Sequence, residues 1–498
     1  MQSMSAKYCV SILPESEDML VEQIQSEQEA DLIEIRCDYL DRSIDLHHIR
    51  RLCKKPLIIT VRHPSEGGFW DGSEEDRIGI YRKAVDTGID YIDVEWRNAA
   101  GILSRLPSSH KTRLILSCHS TENKLKHLIP LFQKMLEKKA DIYKFVYTVN
   151  DINENLHVLE LIQIPRQENA GYIVHGMGVD GQISRILGSL QGNKWTYVSA
   201  DNKPATAAGQ QPLHIMKNIF FLHERTSATR LLGLLGYPVK QSSGWRLHNR
   251  LMHRIRNTAK VKPIDFIYLN FPAKNFHSFW DHWKYYLYGL SVTIPYKQDV
   301  ISVLDRRGET VELSGVCNTM VKRNNLWYGF NTDMLAIYEL FMPYRELLKR
   351  GVLIYGTGAT TRSSAAAIRE LKAGEIFICG RNELKGRHLA DEFNLRFVPQ
   401  NLLETVRPAV IIQTTPVGMF PDTDEMPPLE GILPGADLVF DVIFNPVKTG
   451  LLKKAAEYDC ETISGDRMYL LQARKQFEIF AGIPLDPDVL LHEWNNLD

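Results

Sequence analysis

Short apolar runs alternate with longer amphipathic stretches over the first part of the chain. Polar residues and turn signals bound the runs, as they bound buried parallel strands. The runs lie at residues 9–13, 32–36, 57–62, 91–94, 114–118, 142–146, 172–175 and 197–200. Eight strands joined by helices predict a closed (β/α)8 barrel, because parallel strands need crossover connections and closure removes the sheet edges.

The pattern changes after residue 223 to a second α/β region over residues 231–331, in which an extended run at 290–295 precedes Tyr296 and Lys297. A third region opens with an apolar strand at 352–355, which runs straight into a turn containing Gly356 and Gly358 and a helix-forming stretch at 363–371. Further apolar runs at 375–379, 409–413 and 438–442 continue a doubly wound sheet. A strand, a glycine-rich turn and a helix in this order are typical of a Rossmann-like dinucleotide-binding domain, although Thr361 ends the glycine pattern.

Composition and charge exclude some classes of protein and leave the predicted elements unchanged. The chain has 498 residues and a net charge of -1, from 59 basic and 60 acidic residues. This balance lacks the electrostatic footprint of a general nucleic-acid or membrane-surface binder. No apolar run approaches the roughly 18 residues that a membrane helix needs. A small-molecule enzyme, with no nucleic-acid or membrane partner, is therefore expected.

Cysteine and histidine placement bears on compartment and metal binding. The seven cysteines form no CxxC pair, and no regular spacing indicates a disulfide or zinc framework. Residues 1–7 lack the basic region of a signal peptide. His63, His110 and His127 are scattered without the spacing of metal ligands. A reduced, cytoplasmic protein without a metal site is predicted.

Lys144 ends one of the apolar strands of the predicted barrel. Taken alone, such a lysine is a surface residue whose ammonium reaches solvent. At the barrel mouth the ammonium is poorly solvated, which favours the neutral amine that attacks a carbonyl to form a Schiff base. The neighbours favour the second interpretation, because His119 follows the adjacent strand and Glu66 lies in a loop from which a carboxylate can orient an imidazole. Other polar residues at strand ends are Glu34, Arg36, Arg62 and Glu95.

Five segments of the first region resemble the type I 3-dehydroquinate dehydratases. They are EIRCD at 34–38, TVRHPSEGG at 60–68, SCH at 117–119, ADIYK at 140–144 and GQISR at 181–185. The resemblance implies that Lys144 forms an imine with the substrate ketone, that His119 is the general acid/base, and that Glu66 is its paired carboxylate. Elimination of water beside a ketone also needs a clamp for the substrate carboxylate, and arginines suit this task. The implied substrate-binding residues are Glu34, Arg36, Arg62, Arg185, Thr206 and Gln210.

One departure from that family lies in the loop PATAAGQ at 204–210. Thr206 stands where the family usually has a serine, so a hydroxyl is retained. Thr206 and Met177 are equally well interpreted as packing residues.

Four segments of the second region resemble the shikimate dehydrogenases. They are GYPVKQSSGWRLHN at 236–249, SVTIPYK at 291–297, GVCNT at 315–319 and GFNTD at 329–333. Two serines hold the substrate carboxylate in that family, and Ser242 matches the first. Gly244 stands at the second and Trp245 at the usual proline, so carboxylate binding must differ or use a neighbour such as Ser243. Phe444 replaces a common tyrosine in DVIFNP.

A lysine and an aspartate of the second region suit the proton transfer that ketone reduction requires. A ketone reduced by hydride must receive a proton on its oxygen, and a lysine beside a carboxylate can donate it. The resemblance implies that Lys297 and Asp333 are this pair. It also implies substrate binding by Asn318, Thr293 and Gln472. Singly, Asn318 is better interpreted as a turn residue and Thr293 as a strand residue, whereas the ordered set favours binding.

The third region carries the expected NADP site. Backbone N–H groups at Gly356 and Gly358 can meet a pyrophosphate at a helix N-terminus. Arg381 follows the next strand, where an acidic residue would favour NAD, and an arginine suits the 2′-phosphate of NADP. The alternative for Arg381 is a solvated loop charge. The full set of expected cofactor-binding residues is Gly356, Gly358, Ala359, Arg381, Asn382 and Gly465.

These observations predict an α/β protein with an N-terminal (β/α)8 barrel, followed by a two-domain dehydrogenase with an α/β substrate domain and a Rossmann-like NADP domain. The expected boundaries are 1–222 for the barrel, 228–333 for the substrate domain, 334–468 for the NADP domain and 469–498 for C-terminal helices that return to the substrate domain. The expected function is a fused dehydratase and dehydrogenase of aromatic biosynthesis, acting as a monomer or homodimer. Two alternatives stay open: fusion to a quinate/shikimate dehydrogenase, and a non-catalytic metabolite-sensing regulator.

Overall fold

The computed structural model describes residues 5–39, 44–201, 203–239 and 242–497. The chain divides near Thr229 into two compact units, with residues 281–283 grouped with the first. Among the described residues, none of the helices combines the length and apolar character that crossing a bilayer requires.

The first unit is an eight-stranded parallel sheet surrounded by helices. Its strands are β1 Tyr8–Ile12, β2 Leu32–Arg36, β3 Leu57–Thr60, β4 Tyr91–Glu95, β5 Arg113–Ser120, β6 Ile142–Thr148, β7 Gly171–Met177 and β8 Thr196–Ser199. Its helices are α1 Glu17–Ser26, α2 Leu46–Leu52, α3 Glu74–Thr87, α4 Ala99–Leu103, α5 Leu125–Leu136, α6 His157–Leu161, α7 Gln163–Gln167 and α8 Gln182–Leu190. The strand order β7-β6-β5-β4-β3-β2-β1-β8 is that of a nearly closed barrel.

Side chains on the inner face of the barrel form layers, because alternate residues of a strand face the same side. An apolar layer contains Ile58, Ile115, Ile142 and Ile173 from four different strands. The residue two positions further along each strand faces the same side, nearer the C-terminal end. On β6 that residue is Lys144, so the apolar layer forms the floor beneath the polar residues.

The second unit begins with a mixed six-stranded sheet. Its strands are β9 Arg230–Gly236, β10 Phe266–Pro272, β11 Leu287–Val292, β12 Arg306–Arg307, β13 Thr319–Arg323 and β14 Leu326–Phe330. The helices are α9 Gly244–Thr258, α10 Phe276–Trp283, α11 Glu309–Ser314, α12 Thr332–Phe341 and α13 Arg345–Leu348. The order is β10-β9-β11-β13-β14-β12, with β13 antiparallel to both of its neighbours.

A parallel six-stranded sheet follows in the same unit. Its strands are β15 Val352–Tyr355, β16 Ile376–Cys379, β17 Arg396–Phe397, β18 Val410–Gln413, β19 Leu438–Asp441 and β20 Glu461–Ile463. The helices are α14 Ala359–Glu370, α15 Glu383–Phe393, α16 Gly450–Glu457, α17 Gly465–Ala481 and α18 Pro487–Asn495. The order β17-β16-β15-β18-β19-β20 reverses direction at β15, as in a doubly wound sheet.

The last two helices pack against the mixed sheet of the second unit. Phe477 and Phe480 of α17 share an apolar cluster with Leu251 of α9. Glu493 of α18 pairs with Arg250 and with Arg254 of α9. The chain therefore returns to the substrate side after it has completed the parallel sheet.

The predicted fold class is confirmed, and most of the predicted strands lie within one or two residues of the observed ones. A larger difference is at α14, which begins at Ala359 rather than at residue 363. The side-chain Oγ1 of Thr361 accepts the backbone N–H of Gly358 at 3.1 Å. This hydrogen bond satisfies a donor at the helix end, so the helix starts directly after the glycine turn.

Candidate active sites

Lys144 lies inside the barrel among carboxylates from two other strands. Its Nζ is 2.9 Å from Oδ2 of Asp93 on β4 and 3.6 Å from Oε1 of Glu34 on β2. Nζ also lies 4.0 Å from the centre of the Tyr197 ring. Lys144 is 5% exposed and is ion-paired with carboxylates of neighbouring strands.

Asp93 was not identified from the sequence, and it links Lys144 to Arg62. Oδ1 of Asp93 accepts hydrogen bonds from Arg62 at 2.8 Å and from Ser117 at 2.5 Å. Burial opposes ionisation of this carboxyl, but Arg62 and Lys144 outweigh burial and lower its pKa. Asp93 precedes Glu95 by two residues in an apolar strand, and this i, i+2 pair of acids is the signal that could have found it.

Arg62 is engaged by protein groups at both of its terminal nitrogens. Its guanidinium donates to Asp93 and to Ser117, and it lies 3.4 Å from Oε1 of Glu95. Glu95 also pairs with Arg77 of α3. The pKa of Arg62 is raised, because Asp93 and Glu95 together outweigh the effect of burial. The predicted carboxylate clamp is therefore a permanently charged member of a buried network.

His119 and Glu66 meet as predicted from their positions. Oε2 of Glu66 lies 2.9 Å from the backbone N of His119 and 3.3 Å from its Nδ1. Burial raises the pKa of Glu66 to about 7, although Arg62 opposes this shift. Burial, with Arg62 and Lys144 acting in the same direction, lowers the pKa of His119 well below its ordinary value. Near neutral pH the imidazole is therefore neutral, and Glu66 is the member of the pair that titrates.

Glu34 and Arg36 face the same side of β2 but have different partners. Glu34 accepts hydrogen bonds from Ser11 at 2.6 Å and from Thr60 at 2.8 Å, so its position is fixed from both neighbouring strands. Arg36 forms two hydrogen bonds with Asp38, at 2.9 and 2.7 Å. Glu34 lies beside Lys144, whereas Arg36 is held by the turn after its strand.

Arg185 is a buried cation of the barrel with unused hydrogen-bond donors. It is 2% exposed, and its Nε and one terminal nitrogen have no partner among the described residues. Burial lowers the pKa of Arg185 to about 10. A buried guanidinium with free donors is a binding group for an anion.

The predicted residues Thr206 and Gln210 contact each other across their loop. Oε1 of Gln210 accepts hydrogen bonds from the backbone N of Thr206 at 2.9 Å and from its Oγ1 at 2.7 Å. The backbone of Gly178, after β7, donates to the carbonyl of Ala208 at 3.2 Å. The loop is thus held at the C-terminal end of the barrel strands.

Lys297 and Asp333 form an ion pair in the second unit. The Lys297 Nζ lies 2.6 Å from Oδ2 of Asp333 in the first turn of α12. The side chains keep 16% and 9% of their surface exposed. Asn331 holds α12 in place, because it caps this helix and donates to Ser314 at 2.8 Å and to Ser363 at 2.9 Å.

Asn318 is buried beside this ion pair and is fixed by its neighbours. Its Oδ1 accepts the backbone N–H of Thr332 at 2.8 Å, and its Nδ2 donates to the hydroxyl of the same residue at 2.9 Å. Gln476 of α17 donates to Thr319 at 3.1 Å and accepts from Ser291 at 2.9 Å. Gln472 lies one helical turn earlier and is partly buried. The sequence did not single out Gln476, whose role is to tie α17 to the strands beside Asn318.

A tyrosine hydroxyl faces the glycine that replaces the expected second serine. A Cβ at Gly244 would lie 3.4 Å from the Tyr469 hydroxyl and 3.6 Å from Oγ of Ser242. The Tyr469 ring stacks on Phe444 with 4.9 Å between centres. Burial raises the pKa of Tyr469 to about 12, against the opposing effect of a hydrogen bond with Ser243. Tyr469 was missed because it follows Met468 in a helix far along the chain, where nothing in the sequence links it to Gly244.

Thr293 lies beside the same strand ends as Gly236. Its backbone N donates to the carbonyl of Leu235 at 2.9 Å, and its side chain is partly buried. A Cβ at Gly236 would clash with the Thr293 methyl group. The glycine therefore allows close approach of the segment that leads to Lys297.

The glycine turn after β15 has the form expected of a phosphate cradle. Gly356 has φ +139°, and a Cβ there would clash with Oγ1 of Thr414. Gly358 is the N-cap of α14, and Ala359 is the first residue of that helix. The N–H of Gly358 donates to Thr361 at 3.1 Å, and that of Gly356 donates to the carbonyl of Cys379 at 2.8 Å. An anion at this helix end would therefore meet the N–H groups that begin at Ala359.

The remaining predicted cofactor residues lie at neighbouring strand ends. Arg381 is exposed and follows β16, whose last residue pairs with Tyr355 before the glycine turn. Asn382 caps α15 by accepting the backbone N–H of Lys385 at 3.0 Å. At Gly465 a Cβ would overlap the backbone of Val442. Close packing of α17 against the end of β19 therefore requires this glycine.

Metal binding finds no support among the described residues, where no cluster of three or more histidine, cysteine or acidic side chains is arranged around an ion. All seven cysteines are buried and unpaired.

Two family models match the chain in succession. Residues 8–227 match the type I 3-dehydroquinase model, and residues 234–320 match the shikimate dehydrogenase substrate binding domain. The shikimate dehydrogenase (NADP(+)) of Methanococcus maripaludis strain C6 is 31% identical over 281 residues, which cover 53% of this chain and 95% of the relative. The chain belongs to the shikimate dehydrogenase family. It carries a type I 3-dehydroquinase domain ahead of that region.

Another relative of this shikimate dehydrogenase family member matches nearly the whole chain, including the barrel. The bifunctional 3-dehydroquinate dehydratase/shikimate dehydrogenase, chloroplastic, of Arabidopsis thaliana is 28% identical over 510 residues, which cover 96% of this chain and 82% of the relative. The solved structure of dehydroquinate dehydratase and shikimate dehydrogenase from S. pombe AroM is 21% identical with a TM-score of 0.43, and the match covers 99% of this chain and 98% of that one.

Proposed function

We propose that the chain is a bifunctional enzyme that dehydrates 3-dehydroquinate to 3-dehydroshikimate and then reduces 3-dehydroshikimate to shikimate with NADPH. One observation supports both halves: each unit contains a lysine within hydrogen-bond distance of a carboxylate, at 2.9 Å for Lys144 and 2.6 Å for Lys297. The name of the Arabidopsis relative describes both activities, and the name of the Methanococcus relative describes the second. The product of the first reaction is the ketone that the second reaction reduces.

In the barrel, the amine of Lys144 attacks the substrate ketone, and loss of water gives an iminium ion. The iminium withdraws electrons from the adjacent carbon, so His119 Nε2 can remove a proton there. The resulting enamine expels the neighbouring hydroxyl as water, with His119 returning the proton. Glu66 holds the imidazole by accepting its Nδ1–H, and hydrolysis of the new imine releases the product and regenerates Lys144.

Arg185 and Arg62 contribute differently to substrate binding in the barrel. Arg185 binds the carboxylate, because its free donors match an anion, whereas Arg62 contributes positive potential from within its network. Glu34 positions Lys144, and Thr206 with Gln210 closes the site from the loop. Arg36, at the end of β2, contributes a further positive charge to substrate binding.

In the second unit, Lys297 donates a proton to the ketone oxygen, and Asp333 holds its ammonium in place. Asn318, Thr293 and Gln472 line the substrate ring. Ser242 binds the carboxylate, and the Tyr469 hydroxyl takes the place of the serine that Gly244 lacks.

The residues of the third region fit NADP, since a side chain at Gly356 would fill the cradle that the backbone forms. Gly356 and Gly358 would leave room for the pyrophosphate beside the helix end at Ala359, Arg381 would bind the 2′-phosphate, and Asn382 and Gly465 would border the same edge. NADPH supplies the hydride when bound.

The decisive experiment separates the two activities in the intact chain. Incubation with 3-dehydroquinate and NADPH should oxidise the nicotinamide, and borohydride added with 3-dehydroquinate alone should leave a covalent adduct on Lys144. Mass spectrometry of the digested protein identifies the modified residue. Absence of an adduct would overturn the imine mechanism, and absence of NADPH oxidation with added 3-dehydroshikimate would overturn the reductase.

The alternatives differ in measurable ways. A quinate/shikimate dehydrogenase would oxidise quinate at least as fast as shikimate. Gly244 stands where the family has its second carboxylate-binding serine, so the rates with the two substrates should be compared directly. A metabolite-sensing regulator is not favoured, because both lysines retain their carboxylate partners. The domain boundaries at residues 222, 228, 334 and 469, the monomeric or homodimeric state and the cytoplasmic location stay predictions.

A further inference from the structure

His175 is a buried histidine of the barrel that the proposed mechanism does not use. Side chains alternate along β7, and Ile173, two residues earlier, belongs to the apolar layer inside the barrel. His175 therefore faces the interior too. Val146 of β6 is paired in register with His119 on one side and with His175 on the other. The two imidazoles thus lie at one level, on either side of the strand that bears Lys144.

The hydrogen-bond state of the His175 ring follows from its one partner. Nδ1 lies 3.1 Å from the carbonyl oxygen of Gly176. A carbonyl can only accept, so Nδ1 carries the hydrogen. Burial, reinforced by Arg185, lowers the pKa of His175 well below its ordinary value, so the ring is neutral and Nε2 carries a lone pair.

The lone pair on Nε2 accepts no hydrogen bond from the described residues. His175 is 4% exposed, and its Nε2 is buried without a hydrogen-bond partner among the described residues. Buried polar atoms are rarely left unpaired, since the loss of water is then uncompensated. An unpaired acceptor inside a binding site marks a position that a ligand fills.

The backbone around His175 fixes it together with Arg185. The N–H of Gly176, the next residue, donates to Oγ of Ser184 at 2.7 Å, and Ser184 directly precedes Arg185 on α8. The same hydroxyl donates to the carbonyl of Gly181 at 2.6 Å. The unpaired acceptor of His175 and the unpaired donors of Arg185 are thus held in one rigid corner of the barrel.

The chemistry of the surrounding groups defines what Nε2 can bind. Arg185 and Lys144 present donors, which suit a carboxylate and a ketone. The carboxylates of Glu34 and Asp93 are engaged by neighbouring donors. A ring hydroxyl of a polyhydroxylated substrate needs an acceptor, and His175 offers a neutral one.

We propose that His175 is a further substrate-binding residue of the barrel, whose Nε2 accepts a hydrogen bond from one hydroxyl of the ring that Lys144 binds through its ketone. This inference rests on the proposed dehydratase function. It assigns His175 to substrate recognition and leaves proton transfer to His119.

The test compares two variants in the intact chain. His175→Leu removes the acceptor at similar volume, and loss of one hydrogen bond should raise the dehydratase KM about tenfold with little change in kcat. His175→Gln places an amide oxygen near the former Nε2 and should restore most of the affinity. Thermal melting of both variants shows whether the barrel remains folded.

Deoxy analogues of 3-dehydroquinate, each lacking one hydroxyl, give the readout that a packing role cannot mimic. Wild-type protein should bind one analogue about tenfold more weakly than the substrate, and His175→Leu should lose that discrimination. Unchanged KM in His175→Leu, equal losses with all analogues, or no rescue by His175→Gln would overturn the inference. Borohydride trapping on Lys144 is measured in parallel, so that trapping with unchanged KM rejects only the role of His175, whereas no trapping in wild type rejects the dehydratase mechanism.

Discussion

Lys144 and Lys297 are both paired with aspartate, but their surroundings differ. Lys144 is enclosed by strands, touches carboxylates from two of them and lies against an aromatic ring. Lys297 follows a strand in a segment outside regular structure, has one carboxylate partner among the described residues and keeps part of its side chain exposed. A nucleophile that becomes covalently bonded to its substrate benefits from rigid placement on all sides. A proton donor needs one partner to hold its charge and access to renew its proton.

The networks around the two lysines differ in the same sense. Arg62, Asp93 and Glu95 form a chain of buried charges that depends on every member, because removal of one leaves another uncompensated. In the second unit, Asn331 and Gln476 anchor the site through neutral hydrogen bonds. Substitutions near Lys144 should therefore affect stability and activity together, whereas substitutions near Lys297 should affect activity more selectively.

The largest expected effect is that of Lys144→Ala. Without the amine no imine forms, so the dehydratase rate should fall roughly 10⁴-fold or more while the reductase rate is unchanged. The measurement is each half-reaction separately, with borohydride trapping as a control that should give no adduct. Residual water loss near the wild-type rate would show that Lys144 is not the nucleophile.

Lys297→Ala should give the reciprocal result. The reductase rate should fall about 10³-fold, because the developing alkoxide loses its proton donor, and the dehydratase should be unaffected. Asp333→Asn keeps the volume of the partner and serves as a milder variant. If the reductase kept full speed in Lys297→Ala, the proposed contrast between the two lysines would be wrong.

Sequence reasoning located the two lysines and most of the elements, for identifiable reasons. Apolar strands and the glycine turn are local patterns, so β15 and its turn could be predicted from a few residues, whereas the start of α14 at Ala359 depends on the hydrogen bond between Gly358 and Thr361. The ion pairs of Lys144 with Asp93 and Glu34 depend on strand order and register, which close a barrel from distant segments. Tyr469 beside Gly244 depends on α17 packing back on the mixed sheet, and no local pattern records this contact.

His119 and Glu66 give a pH prediction. The pKa of Glu66 is raised to about 7, so its carboxylate accepts the His119 Nδ1–H fully only above that pH. His119 has a lowered pKa and stays neutral across this range. The dehydratase kcat/KM should therefore rise with pH through about 7 and level off above it.

Glu66→Gln tests this assignment. The amide cannot ionise, so the limb near pH 7 should disappear, and the rate above pH 8 should be roughly 100-fold lower. The reductase measured on the same preparation serves as the control, since its pH profile should not change. A limb near pH 7 that persists in Glu66→Gln would assign the titration to another group.

Arg381→Ala should change cofactor preference rather than turnover. Loss of a charged contact to the 2′-phosphate should raise the KM for NADPH roughly 30-fold, with the KM for NADH unchanged. Lys385→Ala, on the following helix and exposed, is a matched control for loss of one positive charge. Equal effects of the two variants on the KM for NADPH would show that Arg381 is a solvated loop charge that does not contact the 2′-phosphate.

The smallest expected effect concerns the hydroxyl opposite Gly244. Tyr469→Phe removes only that oxygen and keeps the ring stacked on Phe444, so the KM for shikimate should rise about fivefold with kcat nearly unchanged. Gly244→Ser adds a hydroxyl beside Ser242 in a position where its Cβ makes ordinary contact with Tyr469. If Tyr469 replaces the missing serine, Gly244→Ser should recover the affinity lost in Tyr469→Phe, and the double variant should bind shikimate nearly as well as wild type. A double variant no better than Tyr469→Phe alone would show that the tyrosine and the absent serine serve different groups of the substrate.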